Sequence, residues 1–331
     1  MKSEIKSIQS LSESETSEIN DFIMESNSFT NFESLVCYET IEKELQKDIS
    51  LMIIREKNKI CIILFLSLEK KGLLSYYYSP PRNSELLYAS LIFSSNLSYE
   101  KVIDEIVISL KSYRKYYFNI TLHPSFKLNN ISEKALELER NKTSLIHVSK
   151  DIEDLWKELK SNCRRHIRNA RKKEVSIEFA GNDQFDTFYQ ILSDTYSRSP
   201  VKIRSRGYLN SLIRNLGSGK SLLAFAKVND EYVSGVCLLM NKDWAYYWLG
   251  ASVRSFNKYS PGNLIQWNII EYLNKNGFNY YDMMNLSIPQ VAEYKTSFGG
   301  DIVPFLSIVK RPLISNILSR ITDMFLQPNR R

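Results

Sequence analysis

The feature that most constrains the fold is an order of elements that occurs twice: three successive strands, then a helix, then a further strand. Alternating apolar residues and polar turns predict the first copy as strands at Ser50–Arg55, Ile60–Leu68 and Leu73–Ser79, a helix at Tyr99–Tyr113 and a strand at Tyr116–Leu122. The second copy is predicted as strands at Ser221–Val228, Tyr232–Met240 and Trp244–Ala251, a helix from Ser260 to about Asn276 and a strand at Asn279–Met284. This repeat predicts an α/β (α+β) fold of two tandem domains, each a mixed sheet flanked by helices.

The boundary between the copies is expected near residues 141–150. We therefore predict an N-terminal domain at residues 1–150, a C-terminal domain at residues 151–311 and an amphipathic tail at residues 312–331. Two alternatives stay open for the tail: it packs on the first domain, or it lies on a membrane surface. Helical spacing of apolar residues also predicts a helix over residues 3–27.

The charge balance favours an anionic partner, and the alternative is a positive charge that serves only solubility. The net charge of +7 favours nucleic acid, a phosphorylated precursor or an anionic membrane face. The cysteines and histidines show no metal-ligand or redox spacing, so no metal site and no permanently bound cofactor are predicted. The longest apolar run, Ile60–Leu68, is about half the length of a membrane-spanning helix. We predict a cytoplasmic protein, with peripheral contact at the inner face of the membrane left open.

The segment Asp154–Lys173 is predicted to form one amphipathic helix with a strongly basic face. Its apolar face carries Trp156, Leu159, Cys163, Ile167 and Ala170. Its basic face carries Arg164, Arg165, Arg168, Arg171 and Lys172. Unpaired arginines repel one another, so their clustering indicates a surface that binds an anionic substrate or donor. The alternative is an ordinary solvated helix face.

The start of the helix at Ser260 is a second candidate anion site. Ser260 stands at the cap position and Pro261 at the first helical position, which is a strong helix-start signal. Free backbone N–H groups at Gly262 and Asn263, together with the helix dipole, can bind a phosphate. Arg254, just upstream, adds positive charge. The alternative is a capped helix with no ligand.

Two further residues are candidates for chemistry. Lys295 lies in a run that also contains Tyr294 and Phe298 and ends in two glycines. A lysine can bind a carboxylate or phosphate, or stabilise an oxyanion as an acyl group moves. Asp282, at the end of a predicted parallel strand, is a candidate acid, base or orienting group. The alternative for Asp282 is a carboxylate that caps a turn or a helix.

At these residues the sequence resembles the FemABX-like branch of the GNAT acyltransferase superfamily. The motifs that carry the resemblance are Leu155-Trp156, Arg164-Arg165-His166-Ile167-Arg168-Asn169-Ala170-Arg171-Lys172, Trp248-Leu249-Gly250-Ala251-Ser252, Asn263-Leu264-Ile265-Gln266-Trp267, Gly277-Phe278-Asn279-Tyr280-Tyr281-Asp282 and Tyr294-Lys295-Thr296-Ser297-Phe298-Gly299-Gly300. They lie between Asp151 and Pro312. The first half resembles the family only in the order of its elements.

The resemblance implies two tandem GNAT-like domains and the transfer of an acyl or aminoacyl group to an amine, on a cell-envelope or polysaccharide precursor. It places Lys295 at the acyl-transfer site, and we predict that Tyr294 and Phe298, in the same run, bind the substrate or the donor. GNAT enzymes that bind CoA carry a glycine-rich loop before the central helix, whereas this chain has the single glycine Gly262 there. The donor therefore stays open between acyl-CoA and aminoacyl-tRNA.

We thus predict an N-acyltransferase in which Lys295 stabilises the transition state and the substrate amine approaches Asp282 at the end of the sheet. The alternative is a non-catalytic protein of the same fold that binds nucleic acid or anionic lipid through its basic helix.

Overall fold

The computed structural model describes residues 1–72, 74–126, 136–198 and 202–312, and within them the chain forms two compact units. The first unit contains Met1–Ser28, Glu33–Arg140 and the stretch that begins at Phe305. The second contains Phe29–Phe32 and Asn141–Pro304. The predicted amphipathic tail lies outside the described residues, apart from Pro312.

The first unit is a mixed sheet with flanking helices. Its elements are β1 (Lys2–Ser7), α1 (Glu13–Glu25), α2 (Leu35–Leu45), β2 (Asp48–Glu56), β3 (Lys59–Lys71), β4 (Leu74–Ser79), β5 (Leu91–Phe93), α3 (Tyr99–Ser112), β6 (Tyr117–Thr121) and the first part of β7 (Glu137–His147). The strand order is β1-β2-β3-β4-β6, followed by residues 305–310 of β13 (Asp301–Lys310), and β5 pairs with β3. Strands β4 and β6 are parallel, while the other pairs described are antiparallel.

The predicted helix over residues 3–27 is wrong in its first part. Lys2–Ser7 instead forms β1, an edge strand paired with β2, because its backbone partners lie about fifty residues away in sequence and local periodicity cannot reveal them. The helix begins only at Glu13, where Ser12 and Glu15 form a reciprocal capping box. That Ser-x-x-Glu pattern was a signal for the helix start.

The second unit repeats the architecture. After residues 141–147 of β7, its elements are α4 (Ile152–Glu158), α5 (Ser161–Lys172), β8 (Ser176–Ala180), α6 (Phe185–Ser197), α7 (Arg206–Leu216), β9 (Ser221–Val228), β10 (Glu231–Asn241), β11 (Trp244–Ser252), α8 (Pro261–Lys275), β12 (Tyr280–Asn285), α9 (Pro289–Thr296) and the first part of β13. The strand order is β7-β12-β11-β10-β9-β8, and β11 and β12 are the parallel pair. Helix α8 packs against α5 and against β9 and β10, while α6 packs on β10 and β11.

Both units thus contain a three-strand meander, a helix and a strand parallel to the last strand of the meander. Strands β2, β3 and β4 lead through α3 to β6, and β9, β10 and β11 lead through α8 to β12. The predicted α/β class, with mixed sheets flanked by helices, is confirmed. Among the described residues, no helix has both the length and the apolar character needed to cross a bilayer.

The parallel pair differs between the two units in one respect. In the first unit, β4 pairs with β6 from Tyr76 to Ser79, which is the end of β4. In the second, pairing of β11 with β12 stops at Tyr246, although β11 continues to Ser252. Strand β12 departs from regular geometry just beyond, because Met284 has a positive φ of 65°. The second unit therefore contains an opening between its parallel strands.

The predicted single helix Asp154–Lys173 is also wrong, because it is two helices. Leu159 and Lys160 between them have extended backbone, and the Lys160 N–H donates to the Ser297 carbonyl at 2.9 Å. Gly299 packs tightly here: its φ is +87°, and a Cβ on it would lie 2.7 Å from the carbonyl oxygen of Glu158. This tertiary docking interrupts a helix that periodicity alone would continue. Strand β7 and helix α9 were not predicted.

Candidate active site

A pocket of about 350 Å³ lies beside the opening between β11 and β12. Its wall combines β10, the distal half of β11 and the start of α8. The lining residues are His166, Thr195, Ser234, Gly235, Val236, Tyr247, Gly250, Ala251, Ser252, Asn257, Ser260, Pro261, Gly262, Asn263 and Tyr294. None of these carries an obligatory charge. Any charge on a ligand here must be met by backbone dipoles or by groups just outside the wall.

The start of α8 supplies such dipoles, although Ser260 does not act as the predicted cap. Ser260 has left-handed backbone (φ 56°, ψ 41°), and its side chain makes no capping hydrogen bond. Its Oγ lies 3.1 Å from Nδ1 of His166 instead. Within the described part of the chain, the Gly262 N–H has no hydrogen-bond acceptor. Helix N-termini with free N–H groups bind anions, so this end of the pocket suits a phosphate or carboxylate.

Arg254 opens a short 3-10 helix, Arg254–Tyr259, that leads into Ser260. Its side chain is exposed and has no ion-pair partner among the described residues. It lies close in sequence to the pocket but does not line it.

Lys295 is buried, with 8% of its surface exposed. Its Nζ donates to the Asn285 carbonyl at 3.1 Å and lies 5.6 Å from the centre of the Tyr247 ring, which lines the pocket. Burial lowers the pKa of Lys295 to about 8, and the neighbouring Asp282 acts in the opposite direction. An ammonium group held in this way keeps donors for a further acceptor and has little water to compete for them.

Asp282 is completely buried in β12. Its carboxylate accepts hydrogen bonds from the Thr143 hydroxyl and from the Met284 N–H, the latter at 2.7 Å. This is the geometry of a carboxylate that stabilises a tight turn two residues ahead. Because Asp282 is enclosed, a substrate amine cannot reach it in this conformation. Its negative charge acts on Lys295 and holds the ammonium form there.

A buried polar cluster surrounds Gln266 on α8. The Tyr281 hydroxyl donates to Gln266 Oε1 at 2.7 Å, and the Tyr294 hydroxyl donates to the Gly262 carbonyl at 2.9 Å. Burial raises the pKa of Tyr247 to about 12 and raises the pKa values of Tyr281 and Tyr294 well above their ordinary range. These tyrosines are therefore neutral hydrogen-bond donors at physiological pH. The Gln266 Nε2 is buried without a partner in the described residues.

A smaller pocket of about 220 Å³ lies between α5, α9 and the start of α8. It shares His166, Asn263 and Tyr294 with the larger pocket. The remaining lining residues are Asn162, Cys163, Gln290, Glu293 and Ser297. Phe298 is not in either wall. It is buried, and its ring meets Tyr294 edge-on with centroids 5.2 Å apart.

The predicted basic face of α5 is partly occupied by contacts within the protein. The Arg164 guanidinium donates to the Lys157 carbonyl at 2.9 Å and to the Leu159 carbonyl, so it satisfies carbonyl groups at the end of α4. The Arg168 guanidinium lies over the ring of Trp156. The Arg171 guanidinium lies over the same ring and 3.5 Å from Glu271, where it forms an ion pair.

Arg165 is exposed, and it differs from these three arginines because its side chain has no hydrogen bond, ion pair or ring contact in the described residues. None of the four predicted arginines on α5 lines either pocket.

Of the predicted site residues, the structure brings together Ser260, Gly262, Asn263 and Tyr294 around the larger pocket. His166 and Gln266 were not predicted as site residues. A signal for Gln266 was present, because it is a polar residue within the apolar run Leu264–Ile270. The sequence carries no comparable signal for His166, because its contact with Ser260 joins residues that lie far apart in the chain.

The comparison with protein families points to the second unit, which contains both pockets. Residues 157–296 match the acetyltransferase (GNAT) domain family. The structure of FemX superposes with a TM-score of 0.61 at 13% identity, covering 92% of this chain and 97% of FemX. The structure of L-PGS from Bacillus licheniformis superposes with a TM-score of 0.57 at 8% identity, covering 91% of this chain and 94% of that chain. A tandem GNAT protein from the clavulanic acid biosynthesis pathway gives 0.52 at 9%, covering 94% and 98%.

At these identities the structural matches show the fold alone, and a search of curated protein sequences finds no match. The fold and the family match together define a protein of GNAT fold. Residues 157–296 match the family model of a GNAT domain, and the predicted fold of two tandem GNAT-like domains is confirmed by the likeness to FemX and to the tandem GNAT protein.

Proposed function

We propose that this protein is an N-acyltransferase that moves an acyl or aminoacyl group from an anionic donor to an amine, and that the C-terminal domain at residues 151–311 carries the chemistry. The observation that carries this proposal is the larger pocket, which lies at the opening of the parallel strands and next to both a free helix N-terminus and a buried lysine. The first unit's parallel pair has no comparable opening along its shared length.

The donor is proposed to occupy the larger pocket with its anionic part at the start of α8. Ser260, Gly262 and Asn263 present the helix end, and Arg254 lies just upstream. The unpaired edge of β11 beyond Tyr246 offers backbone groups to an extended donor arm. Acyl-CoA and aminoacyl-tRNA both have an anionic portion joined to a reactive carbonyl carbon, and both suit this arrangement.

The reaction we propose is direct attack of the amine nitrogen on the donor carbonyl carbon. A carbon–nitrogen bond forms, the bond from carbon to the thiol sulfur or ribose oxygen breaks, and the leaving group takes that electron pair. The amine nitrogen loses one proton and the leaving sulfur or oxygen takes one up, so that the products are the amide and the free thiol or hydroxyl. Negative charge develops on the carbonyl oxygen, and the Lys295 ammonium stabilises it. In this mechanism Asp282 favours the ammonium form of Lys295 through its negative charge and does not contact the substrate, in keeping with its burial.

The acceptor we propose is an amine on a cell-envelope or polysaccharide precursor. The support is the likeness of fold to FemX and to L-PGS, together with the net charge of +7, which favours anionic precursors or membrane surfaces. Peripheral contact with the inner face of the membrane belongs to the same proposal.

Thermal unfolding in the presence of separate donors tests the proposal. A ligand that binds only the folded state raises the melting temperature by mass action. We expect acetyl-CoA or an aminoacyl-tRNA to raise it, and we expect Gly262→Pro, which removes the free N–H at the helix start, to reduce the effect. Unacylated tRNA and free adenosine serve as controls. If neither donor protects the protein, the larger pocket is not a donor site.

The alternative function, in which the protein does not catalyse a reaction and binds a ligand through the basic helix α5, predicts different results. A protein that acts only by binding nucleic acid or anionic lipid through α5 would lose binding on Arg165→Glu, would show steep salt dependence and would be indifferent to Lys295→Met. Arg165 is the informative position, because Arg164 and Arg171 have structural partners.

A further inference from the structure

Glu293 is the feature of the smaller pocket that the proposed mechanism has not used. It lies on α9 with an exposed carboxylate, and it has no ion-pair partner among the described residues. It is the only acidic or basic side chain in that wall apart from His166, within the described residues. The other groups that face the cavity include the amides of Asn162, Asn263 and Gln290.

The two pockets therefore have opposite electrostatic preferences. The larger one offers a free N–H at a helix start and no acidic residue, which favours an anion. The smaller one offers a carboxylate and hydrogen-bonding amides, which favours a cation that carries several donors. A phosphate group in the smaller pocket would be repelled by Glu293.

We propose that the smaller pocket binds the acceptor, a primary amine in its ammonium form, through Glu293. This inference rests on the proposed N-acyltransferase function and adds the location and chemical class of the second substrate. The donor and acceptor sites then meet at the wall that they share, formed by His166, Asn263 and Tyr294. The reacting nitrogen and the acyl carbon come together at that wall.

The shared wall also supplies a group for the proton. The Nδ1 of His166 lies 3.1 Å from the Ser260 hydroxyl, which orients the ring. Its Nε2 has no hydrogen-bond partner in the described residues and can take a proton from the bound ammonium. The free amine then attacks the donor carbon. The bound acceptor thus changes from the cation that Glu293 recognises to the neutral nucleophile that the reaction requires.

Direct binding can be tested without any donor. The probe is n-butylammonium, and n-butanol is the neutral molecule of similar length. The readout is the imidazole signal of His166 in nuclear magnetic resonance spectra, assigned by its loss in His166→Gln, with the other two histidines, His123 and His147, as internal references. We expect n-butylammonium to shift the His166 signal in a saturable way and n-butanol to leave it unchanged.

Three variants separate the electrostatic from the steric contribution. Glu293→Gln is expected to weaken binding of the probe about two- to fivefold at low salt, as befits an exposed ion pair. Gln290→Trp, on the same helix, fills the cavity without removing the carboxylate and is expected to abolish the shift. Glu231→Gln removes an equivalent exposed charge at the start of β10 and should change nothing.

The outcomes distinguish this inference from the proposed function. If acyl transfer occurs but Glu293→Gln and Gln290→Trp bind and use the amine as the native protein does, the acceptor site is elsewhere and this inference is wrong. If the His166 signal shifts in a Glu293-dependent manner but no donor is ever consumed, the amine site stands and the acyltransferase proposal fails.

Discussion

The burial of Lys295 leads to a quantitative prediction of how the stability of the protein depends on pH. Its pKa is lowered by burial from 10.5 to about 8. Below pH 8 the lysine is protonated in both the folded and the unfolded chain, and the folded state bears the full cost of the buried charge. Between pH 8 and pH 10.5 the folded state releases the proton first, so the free energy of unfolding rises with pH across that window.

The size of the effect follows from the two pKa values. Each pH unit between them corresponds to ~1.4 kcal/mol, so the stability of the native protein relative to Lys295→Met should rise by about 3 kcal/mol across the window. Urea unfolding of both proteins at a series of pH values measures this difference. Other titratable groups contribute equally to the free energy of unfolding of both proteins, so their contribution cancels in the comparison.

Lys310 provides a matched control. It is also buried, burial also lowers its pKa to about 8, and its Nζ donates to backbone carbonyls that include that of Tyr116 at 2.7 Å. Lys310→Met should show the same pH-dependent difference in stability, but only Lys295→Met should lose acyl transfer. Parallel stability curves for native protein and Lys295→Met would refute the argument from burial. Full activity in Lys295→Met would remove this lysine from the mechanism.

The remaining predictions concern pH and two glycines. Acyl transfer that depends on the Lys295 ammonium should fall as pH rises through about 8, and a rate that stays constant to pH 10 would contradict its charged role. Gly299→Ala should lower the free energy of unfolding by about 1–3 kcal/mol in urea titrations, because its φ of +87° and its approach to Glu158 both exclude a Cβ. Gly250→Ala should reduce activity while preserving most of the stability, because the new Cβ would lie 1.9 Å from the Tyr247 hydroxyl and displace that ring from the pocket wall. Unchanged kinetics in Gly250→Ala would show that the ring position is irrelevant.

Much of the second unit could be predicted from the sequence because its signals are local. Strands β9, β10 and β11 alternate or run apolar between clear turns, and Pro261 marks the start of α8. The residues that follow this start, together with Tyr294, line the larger pocket as a group. The sequence pattern predicts a strand or helix correctly where the residues of that element alone determine its structure.

Other features depended on partners distant in sequence. Strand β1 is determined by its pairing with β2, and the break before α5 is determined by docking of the segment around Ser297 and Gly299. The enclosure of Asp282 likewise depends on Thr143, which lies on another strand. The periodicity of a short sequence segment contains no information about such distant contacts. The sequence could therefore identify Asp282 as a candidate, but it could not show that its carboxylate is closed to a substrate.

The route of the chain through the two units has a consequence for the order in which they fold. Strand β6 of the first unit pairs with residues 307–310, which follow every segment of the second unit along the chain. As the ribosome releases the protein from its N-terminus, the second unit has all of its segments by Pro304, while the first unit still lacks its last strand. Folding that begins at the N-terminus, the common order during synthesis, cannot be completed here. The unit with the proposed active site can close first, and a nascent chain halted at Pro304 would leave the edge of β6 unpaired and prone to aggregation.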